Sequence, residues 1–184
     1  MKIQRKILDS KHMSLVINRL CRELIENHHY FEETVLVGVQ PRGTFLSERI
    51  SRKINSILNI SSLQLGMLDI SFYRDDFRRR ENPIEPQSID MNFSIESKNV
   101  VLIDDVLYTG RSVRAAIDAL MAFGRPKKIE LLILIDRRFS RHLPIQPNYV
   151  GSTIDVIDSE KVVVEWKEKH GKDQVIMKKN NYES

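Results

Sequence analysis

No stretch of this chain limits its possible folds as tightly as Val100-Val101-Leu102-Ile103-Asp104-Asp105-Val106-Leu107-Tyr108-Thr109-Gly110-Arg111-Ser112. Its four leading residues are apolar and mostly β-branched, which predicts a strand buried on both faces. Two adjacent carboxylates follow at the carboxyl end of that strand. A short loop carrying Thr109, Gly110 and Ser112 then opens into residues 113–121, where apolar side chains recur at helical spacing. In an open α/β sheet, ligands bind beyond the carboxyl ends of the strands. A loop that opens a helix there offers an anion unpaired N–H groups and the positive end of the helix dipole.

The loop has neither the spaced glycines and Lys of a P-loop nor the G-x-G-x-x-G of a dinucleotide site. It sets an acid pair beside a hydroxyl-rich anion loop. Ionised carboxylates only accept hydrogen bonds, so they suit the vicinal hydroxyls of a ribose. A phosphate a few ångströms away would take the amides of residues 108–112 and the hydroxyls of Thr109 and Ser112. The ligand with both features is a ribose 5-phosphate. The competing reading is a buried strand whose acids merely cap a turn, and it would leave two buried carboxylates without cationic partners at considerable cost.

This motif closely resembles the phosphoribosyl-pyrophosphate (PRPP) motif of the type I phosphoribosyltransferase family. The Val-Leu-Tyr-Thr-Gly-Arg wording looks most like the branch of pyrimidine-operon regulators that also act as uracil phosphoribosyltransferases. The likeness extends over nearly the whole chain, through Tyr73-Arg74-Asp75-Asp76, Gly124-Arg125-Pro126, Asp136-Arg137, and Leu143-Pro144-Ile145 followed by Tyr149-Val150-Gly151. Two places depart from the usual pattern: the Arg137-Arg138-Phe139-Ser140-Arg141-His142 stretch, and Pro41, which stands where many relatives carry another residue.

The rest of the chain is consistent with one α/β unit. Its 184 residues suit a single domain over 1–184, and its 41% hydrophobic and 29% charged content is that of a soluble globular protein. No apolar run approaches the ~20 residues that span a bilayer, so no membrane partner is expected. The basic N-terminus is not followed by a secretory apolar region, and Cys21 stands alone, which together predict a cytoplasmic protein. Asp9 or Ser10 caps a helix over 10–28, with Cys21 on its core face. His28-His29 at its end is an ordinary helix terminus rather than a metal site, because adjacent helical residues point apart. Residues 35–39 form a second buried strand. Gln40-Pro41-Arg42-Gly43 breaks it before a helix from about Thr44; taken alone this is as much an ordinary turn as a second anion-binding corner, and the long motif favours the corner.

Residues 63–73 read as a strand with partial alternation, and 129–135 as another buried strand. Charge and two prolines predict a flexible loop over about 74–92, and loops of that length are usually functional or disordered. Arg78-Arg79-Arg80 within it reads as a solvated charge run. Residues 162–166 and 175–177 flank a turn containing His170 and Gly171, as in a terminal β-hairpin. The expected fold is an open, mainly parallel sheet flanked by helices, with a small hood over about 137–184 that ends in this hairpin.

The resemblance implies Mg²⁺-dependent transfer of phosphoribose from PRPP to uracil, giving UMP and pyrophosphate. Asp104 and Asp105 would hold the ribose hydroxyls, and the loop Val106-Leu107-Tyr108-Thr109-Gly110-Arg111-Ser112 the 5-phosphate. Arg42, the amide of Gly43 and Arg74 would face the pyrophosphate, with Arg42 joining the acid pair in catalysis. Arg137 and the backbone around Val162 would face the nucleotide. Mg²⁺ would be held mainly by PRPP and water, with no protein metal site. The resemblance also implies a homodimer or larger homo-oligomer and a messenger-RNA leader as partner, drawing on Arg138 and Arg141. The mild net charge of +4 permits RNA without demonstrating it. Three other readings remain open: an RNA-binding regulator with vestigial catalysis, a purine phosphoribosyltransferase, and a receiver-like module. The last needs a Lys where Asp136-Arg137 stands.

Overall fold

A strand with no exposed residue needs neighbours on both edges and covering layers on both faces. Thr34–Val39 is buried throughout, and Asn99–Leu107 is buried except at Asn99 and Val106, which are half-buried. A computed structural model describes residues 4–61, 63–74, 90–157 and 159–179. In chain order the elements are β1 (Gln4–Leu8), α1 (Ser10–His28), β2 (Thr34–Val39), α2 (Gly43–Leu58), β3 (Leu65–Leu68), a 3₁₀ turn (Ser71–Tyr73), β4 (Asn99–Leu107), α3 (Arg111–Met121), β5 (Lys128–Arg138), β6 (Tyr149–Asp155), β7 (Glu160–Glu165), α4 (Lys167–His170) and β8 (Gln174–Lys179). A parallel sheet runs in the order β3-β2-β4-β5-β6, and a smaller antiparallel sheet in the order β1-β8-β7.

Strand alternation divides the core between the two faces of the parallel sheet. On one face Leu36, Val101 and Ile103 pack with Met13, Leu20 and Leu24 of α1 and Leu46, Ile50 and Ile54 of α2. On the other, Val35, Val37, Val100 and Leu102 pack with Val113, Ala116 and Leu120 of α3. The antiparallel sheet joins the first of these cores through Val162, Val164, Val175 and the fully buried Trp166. Arg49 of α2 lies over the Trp166 ring and bonds both Glu168 and Asp173, which ties the small sheet to the large one. Among the described residues, no helix is long and apolar enough to cross a membrane.

Several expectations change. The strand expected to end at its acids continues to Leu107, so Asp104 and Asp105 lie within β4. The strand expected over 63–73 shortens to Leu65–Leu68, because the Asp69 carboxylate accepts from the Ser71 amide and turns the chain. The edge strands β1 and β6 were not anticipated. Both carry polar, exposed positions that mask their pattern. A one-turn helix, α4, fills the hairpin loop, with His170 accepting the Trp166 amide through Nδ1. Most of the expected loop, including Arg78-Arg79-Arg80, lies outside the described residues. At its far end Asp90 bridges to Met67.

Asp9 caps α1 by accepting from the His12 amide, as expected. Cys21 is a buried core residue whose thiol is pushed up to about 12 by burial, which leaves it protonated and inert. His28 turns into the core rather than outward. Its Nε2 lies 2.8 Å from Glu130, and its Nδ1 3.1 Å from the Thr34 hydroxyl.

Candidate active site

The parallel sheet brings the carboxyl ends of β2, β4 and β5 to one side, and the candidate residues collect there. Asp104 and Asp105 are 9% and 5% exposed. The Asp105 amide donates to Asp104 Oδ1 at 2.8 Å, whereas Asp105 Oδ2 is buried with no hydrogen-bond partner among the described residues. Burial pushes the Asp104 carboxyl well above the usual carboxylate range, and the neighbouring Asp105 charge adds to this. Burial likewise raises Asp105, to about 6, with the Arg42 guanidinium as the main opposing influence. The two acids are held in a state that a hydrogen-bond-donating, cation-balanced ligand would relieve.

Two amide-rich corners flank the pair. After β4 the chain turns through Tyr108 and Thr109 to Gly110, which sits at the N-cap of α3 with φ 90°. That left-handed conformation favours glycine, and glycine brings no capping side chain to the helix terminus; of the first amides of α3, that of Arg111 donates to the Thr109 hydroxyl at a long 3.4 Å. Arg74, Asp104 and residues 106–113 line a cavity here. The second corner is Gln40-Pro41-Arg42-Gly43, with a cis Gln40–Pro41 bond. Arg42 occupies the N-cap of α2 without a side-chain capping bond. Gly43 is needed for contact: a Cβ there would lie 2.4 Å from the Ile103 carbonyl and 3.1 Å from Asp104 Cα. The missing side chain lets the start of α2 press against β4 beside the acid pair.

A cleft of about 400 Å³ joins the corners. Arg42, Arg74 and the acids border one part of it. Arg137, 4% exposed, stacks on the Tyr108 ring with its guanidinium carbon 3.9 Å from the ring centroid. Val162 at the start of β7 faces the same space. The geometry thus gathers Arg42, Arg74, Asp104, Asp105, residues 106–112, Arg137 and Val162 around two continuous cavities. Gly43 supports the site from beneath. Gln40, Ile70 and Glu160 also line the cleft. Their pattern carried no signal beyond proximity to strand ends.

Arg138 and Arg141 stand apart from this cleft. Arg138 forms a two-point pair with Asp155 on the surface. Arg141 bonds Asp136 and the Tyr108 carbonyl. Both border a shallow outer groove beside Phe139, which is 84% exposed.

Residues 4–169 match the phosphoribosyl transferase domain family. A bifunctional protein PyrR from Enterococcus faecalis is 40% identical over 178 residues, covering 97% of this chain and 98% of its own. Another, from Halalkalibacterium halodurans, is 42% identical over 175 residues, covering 94% and 96%. Among solved structures, a hypoxanthine phosphoribosyltransferase from Staphylococcus aureus aligns with a TM-score of 0.69 at 22% identity, over 94% of this chain and 90% of that one. The Trypanosoma cruzi hypoxanthine phosphoribosyltransferase aligns with a TM-score of 0.71 at 14% identity, over 95% and 96%. At such identities the structural likeness establishes the fold, and the sequence relatives narrow it further: the chain belongs to the phosphoribosyltransferase family, in the branch of the bifunctional PyrR proteins.

Proposed function

We propose that this chain transfers phosphoribose from PRPP to uracil, releasing pyrophosphate and forming UMP. The observation that carries the reading is the buried acid pair, with Asp105 Oδ2 lacking a partner, set between two helix-opening corners. The ribose hydroxyls donate to Asp104 and Asp105, and the 5-phosphate takes the amides of the Tyr108–Ser112 loop. Arg42 and Arg74 balance the pyrophosphate. As the anomeric C–O bond breaks, its electron pair leaves with pyrophosphate and positive charge grows on the ribose. The acid pair stabilises that charge, and the uracil nitrogen forms the new bond to the anomeric carbon as its proton passes to the departing pyrophosphate or to water. Positioning and preorganised charge supply the acceleration. Arg137 has only N–H donors, which suit the carbonyl oxygens of uracil, and backbone at Val162 completes the base end.

Among the described residues no cluster of three or more His, Cys, Asp or Glu gathers for a metal. Asp104 and Asp105 are nonetheless hard oxygen donors beside the place where PRPP would sit. They fit Mg²⁺ held mostly by substrate oxygens and water. The ion would neutralise charge on the leaving pyrophosphate.

Under this reading the chain works in the cytoplasm as a homodimer or larger homo-oligomer, and it also binds the leader of a pyrimidine-operon messenger RNA in a UMP-dependent way. The relatives' shared description as bifunctional supports the second activity, and it does not favour a purine transferase or a regulator with vestigial catalysis. The deciding assay offers PRPP with uracil, hypoxanthine, guanine, adenine or orotate and follows pyrophosphate release. Turnover confined to uracil is expected, and efficient purine transfer without uracil activity would overturn the base assignment. For RNA, the leader competes with a scrambled RNA at physiological salt, with and without UMP. Equal affinities indifferent to UMP would remove the regulatory half, because nonspecific phosphate attraction explains them.

A further inference from the structure

The segment that follows β5 wraps behind the phosphate loop and holds it by its carbonyl groups. Arg141 forks between two acceptors: Nη2 pairs with the Asp136 carboxylate, and Nη1 donates to the Tyr108 carbonyl at 2.5 Å. The amides of His142 and Leu143 both donate to the Thr109 carbonyl, at 3.0 and 3.2 Å. Leu143 and Ile145 also close against Gly110, where a Cβ would meet Ile145 Cδ1 at 3.2 Å and Leu143 Cβ at 3.5 Å. In a planar trans peptide the carbonyl of one residue and the N–H of the next point in opposite directions. Holding the Tyr108 carbonyl toward Arg141 therefore turns the Thr109 N–H away from the segment. Holding the Thr109 carbonyl does the same for the Gly110 N–H. Tyr108, Thr109 and Gly110 border the anion cavity, whereas Leu143 and Ile145 border the separate outer groove.

We propose that Arg141 is a positioning residue: by holding the Tyr108 carbonyl against Asp136, it turns the Tyr108–Thr109 peptide so that its N–H serves the 5-phosphate, and it keeps the Tyr108 ring beneath Arg137. The role rests on the phosphoribosyl-transfer reading above. It gives Arg141 an inward task, distinct from RNA contact. A lysine keeps the charge but not the planar fork that reaches two acceptors at once.

The test measures ribose 5-phosphate and PRPP binding by titration calorimetry without any base, then KM for PRPP and for uracil. The variants are Arg141→Ala, Arg141→Lys and Asp136→Asn, each checked by thermal unfolding. For Arg141→Ala we expect at least about tenfold weaker binding of both ligands, in line with losing aligned donors at a preorganised site. KM for PRPP should rise more than KM for uracil, Arg141→Lys should recover only part of the affinity, and Asp136→Asn should shift in the same direction. Added guanidinium ion should restore ribose 5-phosphate binding to Arg141→Ala, which a general packing defect would not allow. Wild-type affinity in a folded Arg141→Ala protein overturns the role, as does a loss that guanidinium leaves unchanged and Asp136→Asn does not reproduce. If Arg141→Ala does not fold, Arg141→Lys and Asp136→Asn decide, and wild-type affinity in both overturns it. A wild-type protein that binds both ligands without transferring to uracil removes only the base assignment. One that binds neither removes the phosphoribosyl reading and this role with it.

Discussion

A buried acid pair, Asp104 and Asp105, and a single buried acid, Glu130, lie toward opposite ends of the same parallel sheet, and the two sites are finished differently. Near the start of β5, Glu130 is 6% exposed and fully engaged. Its Oε1 pairs with Lys128, and its Oε2 meets His28 Nε2 at 2.8 Å and the Tyr149 hydroxyl at 3.2 Å. Burial would raise Glu130, but the Lys128 hydrogen bond and the His28 contact outweigh it and leave the carboxyl lowered. In β4, by contrast, burial prevails, both acids are raised, and Asp105 Oδ2 has no hydrogen-bond partner among the described residues. One cluster completes itself from the chain and serves stability. The other keeps an acceptor that the described chain does not satisfy and weakens the free fold, because a buried acceptor without a donor is costly.

The largest effect should fall on the incomplete cluster. Replacing Asp104 and Asp105 by Asn is expected to reduce phosphoribosyl transfer by at least ~10²-fold, comparable to losing a preorganised electrostatic partner. The urea midpoint should hold or rise. Near-normal turnover would break the contrast at once. At the completed cluster, Glu130→Gln should cost about 2 kcal/mol of stability by leaving His28 and Lys128 mismatched, while kcat and KM stay at wild-type values. A loss of activity in excess of the unfolded fraction, measured by denaturation and steady-state kinetics, would show that the two clusters are not separate.

The pH dependence of stability should run in opposite directions at the two places. For Asp105, between 3.8 and about 6 the folded protein keeps a proton that the unfolded chain has released, so stability falls as pH rises through that window, and the raised Asp104 acts in the same direction. Burial lowers His28 from 6.5, and Glu130 is lowered from 4.5, so the unfolded chain takes up the extra protons there and stability falls as pH drops below those values. Urea midpoints measured across this range should lose the first trend in the Asp104→Asn, Asp105→Asn protein and part of the second in Glu130→Gln. Unchanged profiles in both would refute the assignment. The smallest effect belongs to Arg138→Ala: its pair with Asp155 lies in water, where salt and entropy erase most of the gain, and no measurable shift in urea midpoint is expected.

What was legible in the sequence follows from the same physics. The core strand at Val100-Val101-Leu102-Ile103 and the adjacent acids stood out because burial on both faces forbids polar residues except where function needs them. The continuation of β4 to Leu107 was hidden by those same acids, which interrupt the apolar run. The strand β1 carries Gln4, Arg5 and Lys6 on a solvent-exposed edge, so it reads as a charged terminus until its partner is known. Arg141 looked like a surface cation because its two acceptors, Asp136 and the Tyr108 carbonyl, are joined to it only through folding. Motif residues that share one loop could be gathered from spacing, whereas the pairing of Arg137 with Tyr108 depends on two neighbouring strand ends.

The antiparallel pairing of Gln4–Leu8 with Gln174–Lys179 imposes an order on biosynthesis. During translation the parallel sheet can close once Tyr149–Asp155 has emerged from the ribosome, and with it both anion corners and the acid pair. β1 must then wait, already outside the tunnel, for Gln174–Lys179 to reach it. Contacts of such long sequence separation form slowly, so the wall of the cleft at Val162 is among its last parts to be secured. On the proposed function, a nascent chain would acquire the means to hold phosphate and ribose before the means to choose a base.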